Sequence, residues 1–276
     1  MELFKTFKPQ NSLLQKYVSY YYIDIASQPD YYNEYTCYPH YNSTVSIYKN
    51  HSCALFKNHS IIEHDYNAQP IQIFTPLRDD ILKVTQKGPV YKIAIVFEPL
   101  GINQFTTNLC LTERKVSPDF MLFSVEETGA LLRTANENTL IALLDHYLIA
   151  KFNKTAHPYI TYALKAFHDS EGECLIDDLA EKKIGISRKQ FNRLFKQYIG
   201  VSPQTYRSIV RFRKLMHYKL YQDKLQNYTA LSAEAHYADQ SHFIKSCKKL
   251  TGLTPSQFFN NGKLIGSEDT FWSFKS

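Results

Sequence analysis

Residues 187–206 read Ser-Arg-Lys-Gln-Phe-Asn-Arg-Leu-Phe-Lys-Gln-Tyr-Ile-Gly-Val-Ser-Pro-Gln-Thr-Tyr, and residues 239–258 read Asp-Gln-Ser-His-Phe-Ile-Lys-Ser-Cys-Lys-Lys-Leu-Thr-Gly-Leu-Thr-Pro-Ser-Gln-Phe. They are one pattern written twice, 52 positions apart. Phe191 answers Phe243, Phe195 answers Cys247, Gly200-Val201-Ser202-Pro203 answers Gly252-Leu253-Thr254-Pro255, and Tyr206 answers Phe258. Upstream, Leu179-Ala180 answers Leu231-Ser232. In each copy apolar residues four apart give a helix one buried face, and glycine stops that helix. Ser-Pro or Thr-Pro then opens the next one. A shorter helix before each copy, with Asp177 and Thr229 as N-caps and Leu179 and Leu231 inward, completes two helix-turn-helix units.

The second helices are predicted over 188–198 and 240–250. With Phe191 and Phe195 inward, the first turns Arg188, Lys189, Asn192, Arg193 and Lys196 outward. With Phe243 and Cys247 inward, the second turns out Gln240, Ser241, Ile244, Lys245, Lys248 and Lys249. Arg, Lys, Asn and Gln form paired hydrogen bonds to base edges, chiefly of guanine and adenine. Two such helices on one chain can enter successive major-groove faces of double-stranded DNA. Solubility alone is a poor account of this face, because residues 187–222 hold nine Lys and Arg and no Asp or Glu. Ordinary surfaces mix the two signs. Ser202-Pro203 opens a linking helix expected to run to about Gln222, with Ile209, Phe212, Met216 and Leu220 as its apolar stripe. Arg207, Arg211 and Lys214 share another face of it, open equally to phosphate and to solvent.

The charge excess is local. Residues 1–150 carry 12 Lys and Arg against 15 Asp and Glu, a net of −3; residues 151–276 carry 20 against 11, a net of +9. Only the C-terminal half therefore suits a polyanion. The 276 residues can bury two cores, and 44% of them are hydrophobic. Five scattered cysteines, without a Cys-x-x-Cys, make neither a disulfide framework nor a zinc site and fit a reducing cytosol. With no apolar leader and no run of 18 apolar residues, the expectation is a cytoplasmic protein with no membrane segment.

The N-terminal half reads as an antiparallel β sandwich or barrel followed by helix. Strands are expected at 18–25, 43–48, 53–56, 71–75, 81–85 and 90–97, rich in Ile, Val, Tyr and Phe and separated by turn residues. Ile93 to Phe97 is apolar without a break and suits a central strand buried on both faces. From Ser124, a candidate N-cap, the pattern turns helical to residue 152. Leu140, Leu143, Leu144, Tyr147 and Leu148 make a stripe that fits either the barrel or a second protomer. His40, His51, His59 and His64 lack the spacing of a metal site, so no metal or cofactor is expected, and no catalytic residue. The tyrosines at 20–22 and 31–32 fit core packing as well as a pocket wall.

The C-terminal residues resemble the DNA-binding domain of AraC/XylS-type transcription regulators over about residues 157–260, through the two quoted stretches. His157-Pro158 marks the preceding linker, and 159–167 a lead-in helix. The resemblance implies an all-α domain with two helix-turn-helix subdomains joined by a long helix. It also implies base contacts from Lys189, Asn192 and Arg193, and from Gln240, Ser241, His242 and Lys245. The sequence departs from the family in three places: one extra residue between Leu179 and Phe191, His236 where glycine is usual, and Cys247 in place of phenylalanine. More weakly, the N-terminal half resembles the β-rich sensor domains of one branch of the family, through the stretch from Ile93 to Gly101.

The expected organisation is a β-rich effector-sensing or dimerisation domain at 1–152, a tandem helix-turn-helix domain at 157–262, and a tail at 263–276. The expected function is that of a sequence-specific bacterial transcription regulator, activator or repressor, and no enzyme. Its partners would be double-stranded DNA, a small-molecule effector, RNA polymerase and a second copy bound through the N-terminal domain. The alternative, a DNA-repair or metal-dependent enzyme fused to the same DNA-binding domain, needs a zinc cluster or nucleophilic cysteine upstream. Cys37, Cys53 and Cys110 are too few and too dispersed for that.

Overall fold

The computed structural model describes residues 2–107, 109–155, 157–217, 240–264 and 271–274. Its N-terminal part is built from two sheets. The first has the order β1-β2-β9-β4-β7-β10: β1 (Glu2–Phe7), β2 (Val18–Ala26), β4 (Ser43–Tyr48), β7 (Ile71–Thr75), β9 (Val90–Phe97) and β10 (Lys115–Val116). The second includes β3 (Tyr32–Cys37), β5 (His51–Phe56), β6 (His59–His64) and β8 (Leu82–Lys87), with β6 and β8 parallel. All six expected strands form. Those missed, β1, β3, β6 and β10, carry charged or exposed residues that dilute the apolar signal, as in Tyr-Asn-Glu-Tyr-Thr-Cys of β3.

β9 lies between β2 and β4, and Ile93 to Phe97 are fully buried. One face of the first sheet packs across the sandwich on Tyr35, Ile62 and Val84; the other packs under helices. A strand buried twice has no polar face to alternate with, hence the unbroken run. The helical segment is two helices, α1 (Val125–Arg133) and α2 (Glu137–Lys151), rather than one. Ser124 caps α1 in a capping box with Glu127, and Asn136 caps α2 by accepting from the Thr139 amide. Gln72 ties α1 to the sheet: its buried amide accepts from the Leu122 and Phe123 amides and donates to the Phe123 carbonyl and Thr128 Oγ1.

The α2 stripe answers the question its period left open. Leu140, Leu144 and Leu148 are buried in the same cluster as Val45, Ile93 and Phe97, and Leu143 and Tyr147 pack against it. That face packs on the chain's own sheet, the first of the two partners its period allowed.

The C-terminal part begins with α3 (Pro158–Asp169), whose Ile160, Leu164 and Phe167 are buried. There follow a π-helical segment (Asp178–Ile184), α4 (Arg188–Ile199), α5 (Pro203–His217), α6 (Gln240–Thr251) and α7 (Pro255–Asn261). The end of the expected linking helix, Thr229, Leu231 and His236 lie outside the described residues. One core joins these helices through Phe191, Phe195, Tyr206, Phe212, Phe243 and Phe258. It also takes in Tyr38 and Leu77 of the N-terminal part. The segment expected as a tail supplies β11 (Gly262–Leu264) and β12 (Phe271–Phe274), which extend the second sheet beside β3. No helix of the described residues is long and apolar enough to cross a membrane.

Candidate nucleic-acid interface

The repeat in sequence becomes a repeat in geometry. Gly200 and Gly252 both adopt positive φ, 92° and 72°, and close their helices through amides bonded to the carbonyls of Lys196 and Lys248, each 2.9 Å. An L side chain at either site would be strained. Each following helix is then capped by a hydroxyl. The Thr205 amide donates to Ser202 Oγ at 3.1 Å, and Gln257 and Thr254 form a reciprocal pair.

The extra residue before α4 is absorbed locally. Residues Asp178–Ile184 wind as a π-helix, which accommodates one residue more per turn, and Gly185 exits in the left-handed region at φ 79°. Leu179 and Ala180 of this segment are buried, as the repeat predicts for Leu179. Asp177 is not the N-cap expected of it, since its backbone is already helical and its side chain caps nothing. Its carboxylate instead receives the Arg188 guanidinium at 2.9 Å on both oxygens.

In α4, Ser187 caps the first turn by accepting from the Gln190 amide. Phe191, Phe195 and Ile199 are buried, while Arg188, Lys189, Arg193 and Lys196 are exposed and Asn192 is half-buried beside them. In α6, Phe243, Cys247 and Leu250 are buried, and Ser241, Lys245, Lys248 and Lys249 are exposed. Gln240 and His242 lie on the same helix, with side chains outside the described residues. Cys247 fills its smaller core position and its sulfur lies 3.6 Å from Thr251 Oγ1.

The basic window is less open than its composition suggests. Arg207 donates to the Cys174 carbonyl at 3.2 Å and Arg211 to the Gly172 carbonyl at 2.9 Å, while Lys214 pairs with Glu171. That face of α5 grips the 171–174 loop instead of lying open to phosphate or solvent. Arg213 is buried and donates to the carbonyls of Pro39 at 2.7 Å and Tyr38 at 3.0 Å. Sequence reading missed it because a buried arginine serving backbone carbonyls looks, residue by residue, like one facing DNA. Among the described residues the ion pair made by α4 is that of Arg188 with Asp177, and Lys189, Arg193 and Lys196 make none. Of the three helices α4, α5 and α6, it is thus α4 and α6 that present exposed lysine and arginine to a polyanion.

A second site lies between the two sheets. Lys92, 3% exposed, sits 4.8, 5.7 and 5.3 Å from the ring centroids of Tyr22, Tyr35 and Tyr48, and donates to Tyr35 Oη at 3.2 Å. Burial pushes its ammonium down to about 8, against an opposing pull from Asp24. Arg78 donates to Asn42 Oδ1 at 2.8 Å, but its buried Nε has no hydrogen-bond partner, nor has Thr44 Oγ1. Lys92, the three tyrosines, Arg78 and Thr44 line one cavity of about 40 Å³. Tyr21, one residue from Tyr22, faces the opposite side and donates to Asp145 at 2.8 Å, so the tyrosine cluster is divided between core and cavity. His40, His51 and His59 are each hydrogen-bonded within the fold. Among the described residues no group of three or more His, Cys, Asp or Glu is placed to hold a metal.

Known proteins agree with this architecture. Residues 181–261 match the family model described as a helix-turn-helix domain. An uncharacterised HTH-type transcriptional regulator of Haemophilus influenzae is 35% identical over 83 residues, which cover 30% of this chain and 27% of that relative. The fold of ToxT from Vibrio cholerae superposes with a TM-score of 0.50 at 9% identity, over 93% of this chain and 98% of that one. ToxT carrying an unsaturated fatty acid gives 0.49 at 9% identity, over 90% and 98%. The C-terminal resemblance read from the sequence is borne out, as is the plan of a β-rich domain followed by a helical one.

Proposed function

We propose that the chain is a sequence-specific DNA-binding transcription regulator whose α4 and α6 read two successive major-groove segments. One observation carries the reading: two helices related by an offset of 52 residues bury matching faces and expose Lys189, Arg193 and Lys196 on one, Ser241 and Lys245 on the other. Asn192 and Arg193 supply base-edge donors on the first helix, with Lys189 beside them. On the second helix that part falls to Gln240, Ser241, His242 and Lys245. Lys196, Lys248 and Lys249, nearer the helix ends, suit phosphates. Arg188 reaches DNA only by exchanging its exposed pair with Asp177, a contact worth about 0–1 kcal/mol.

Arg193→Ala and Lys245→Ala should each weaken the selected site by about 1–3 kcal/mol and relax preference at particular base pairs. Lys196→Ala should instead weaken all sequences alike. Selection from a randomised duplex pool with each variant distinguishes the two patterns; uniform loss from Arg193→Ala would mean that α4 docks differently.

The cavity between the sheets supports an effector role for the N-terminal domain. Two cationic side chains and unpartnered polar atoms at Arg78 and Thr44 suit a small anionic group, and about 40 Å³ has room for little more. Titration of Lys92 makes a separate prediction. With a folded value near 8 and an unfolded value of about 10.4, both states are protonated below pH 8 and the fold bears the whole cost of the buried charge. Between those values the unfolded chain holds the extra proton, so stability rises with pH. Lys92→Met should therefore stabilise the chain at pH 7 by on the order of 2 kcal/mol and abolish that rise. Urea midpoints at pH 7 and 9.5 measure both; an equal rise in the variant would place its origin elsewhere.

A further inference from the structure

The C-terminal segment after α7 does something its composition does not announce. α7 ends at Asn261 and β11 starts at Gly262, with no linker between them. β11 pairs with β12 through Gly262↔Phe274, Lys263↔Ser273 and Leu264↔Trp272. β12 in turn pairs with β3 through Phe271↔Cys37 and Trp272↔Thr36. Backbone from beyond the second helix-turn-helix thus covers the edge of β3 in the N-terminal sheet, a strand addition within one chain.

β3 and the turn after it are held from the C-terminal side by other contacts too. Arg213 of α5 donates to the Tyr38 and Pro39 carbonyls, and the Tyr38 ring meets Phe258 of α7 edge-on at 4.8 Å; nearby, Gly252 lies against Ile81, just before β8. The first reading unit is tied to the N-terminal body elsewhere, where Gly200 abuts the Leu111 carbonyl and Asn103 Nδ2 lies 3.5 Å from the Tyr198 carbonyl. Off DNA, contacts with a common N-terminal body therefore add to the core that α4 and α6 share in fixing their mutual placement. On DNA it must follow the groove repeat.

From this arrangement we infer that the β11–β12 hairpin is a releasable strap that restrains the second reading unit and lowers DNA affinity until it detaches from β3. The inference rests on the DNA-reading function proposed above. The strap is suited to opening: among the described residues it holds β3 by two register pairs, against six between β3 and β8. Its position also gives it an input. Tyr35 and Cys37 of β3 line the cavity that holds Lys92, and Cys37 is itself a register partner of the strap. Occupancy of that cavity and closure of the strap act on one strand, and by linkage DNA must loosen the strap as much as the strap hinders DNA.

Three full-domain proteins test this: the intact chain, a chain ending at Asn261, and a Thr36→Cys/Trp272→Cys variant that oxidation locks shut, with each single variant as control. A duplex selected from a random pool by the intact and shortened chains is the probe. The shortened chain should bind it at least tenfold more tightly than the intact one, and the locked chain at least tenfold more weakly than its reduced form. In the intact chain, hydrogen exchange of the backbone amides of β12 should speed up when the duplex is added, as its pairing with β3 is lost. Equal affinity of the locked and reduced forms overturns the strap, even should the shortened chain fail to fold. A shortened chain that folds and binds no more tightly overturns it as well. If neither chain selects any duplex, the DNA reading itself falls, whereas equal binding removes only the strap.

Discussion

Raising monovalent salt from about 50 to about 200 mM should weaken DNA binding by the full chain about a thousandfold. The estimate follows from which cations the fold leaves open. Lys189, Arg193 and Lys196 on α4, with Lys245, Lys248 and Lys249 on α6, are exposed. Six positive charges brought against the DNA, whether each ends on a base edge or on a phosphate, displace counterions and give a slope of log K against log salt of about −5. Were the basic residues of α5 counted as well, the slope would be steeper. The structure assigns Arg207, Arg211 and Arg213 to backbone carbonyls instead. A fluorescence-anisotropy titration over that salt range measures the slope. A slope near zero would remove the nucleic-acid reading, and one near −9 would mean that α5 releases its loop on binding.

The largest effect on stability should come from Arg213→Ala. The guanidinium is 3% exposed and joins the linking helix to the turn after β3 through two hydrogen bonds. Removing it leaves two buried carbonyls without this donor and opens a void, at a cost of about 3 kcal/mol or more. Arg213→Lys should recover only part, because one ammonium on a flexible stem cannot present a planar fork. Urea unfolding monitored by circular dichroism reads the loss. A shift below about 1 kcal/mol would show that the carbonyls find water or other donors at little cost.

Much of the C-terminal architecture was legible because duplication removes ambiguity. A single Phe-x-x-x-Phe spacing could belong to any buried helix, but a second copy with its own glycine and Thr-Pro fixed the helix ends at α4 and α6 to within a residue or so. The same logic could not assign partners. Asp177 had the residue type of an N-cap, yet in place it serves Arg188, and the π-helical segment that displaces it has no signature of its own. In the N-terminal half, β9 stood out by its unbroken apolar run. β3 did not, since a strand whose edge is later covered carries polar residues like any edge. The part played by residues 262–274 was invisible for a related reason: strand addition is a backbone interaction, and its partner lies more than two hundred residues away. The α2 stripe showed that a face was buried, and only packing showed that the chain itself buries it.

The account turns on two reading units in one chain, and footprinting of the full-length chain on a selected duplex tests it most directly. Each protomer should protect two unlike segments on one face of the DNA, their centres about one helical turn apart, roughly 34–36 Å. The segments should differ in sequence, because Lys189, Asn192 and Arg193 present different chemistry from Ser241 and Lys245. A footprint confined to one short box per chain would contradict the account and leave a single helix-turn-helix as the reader.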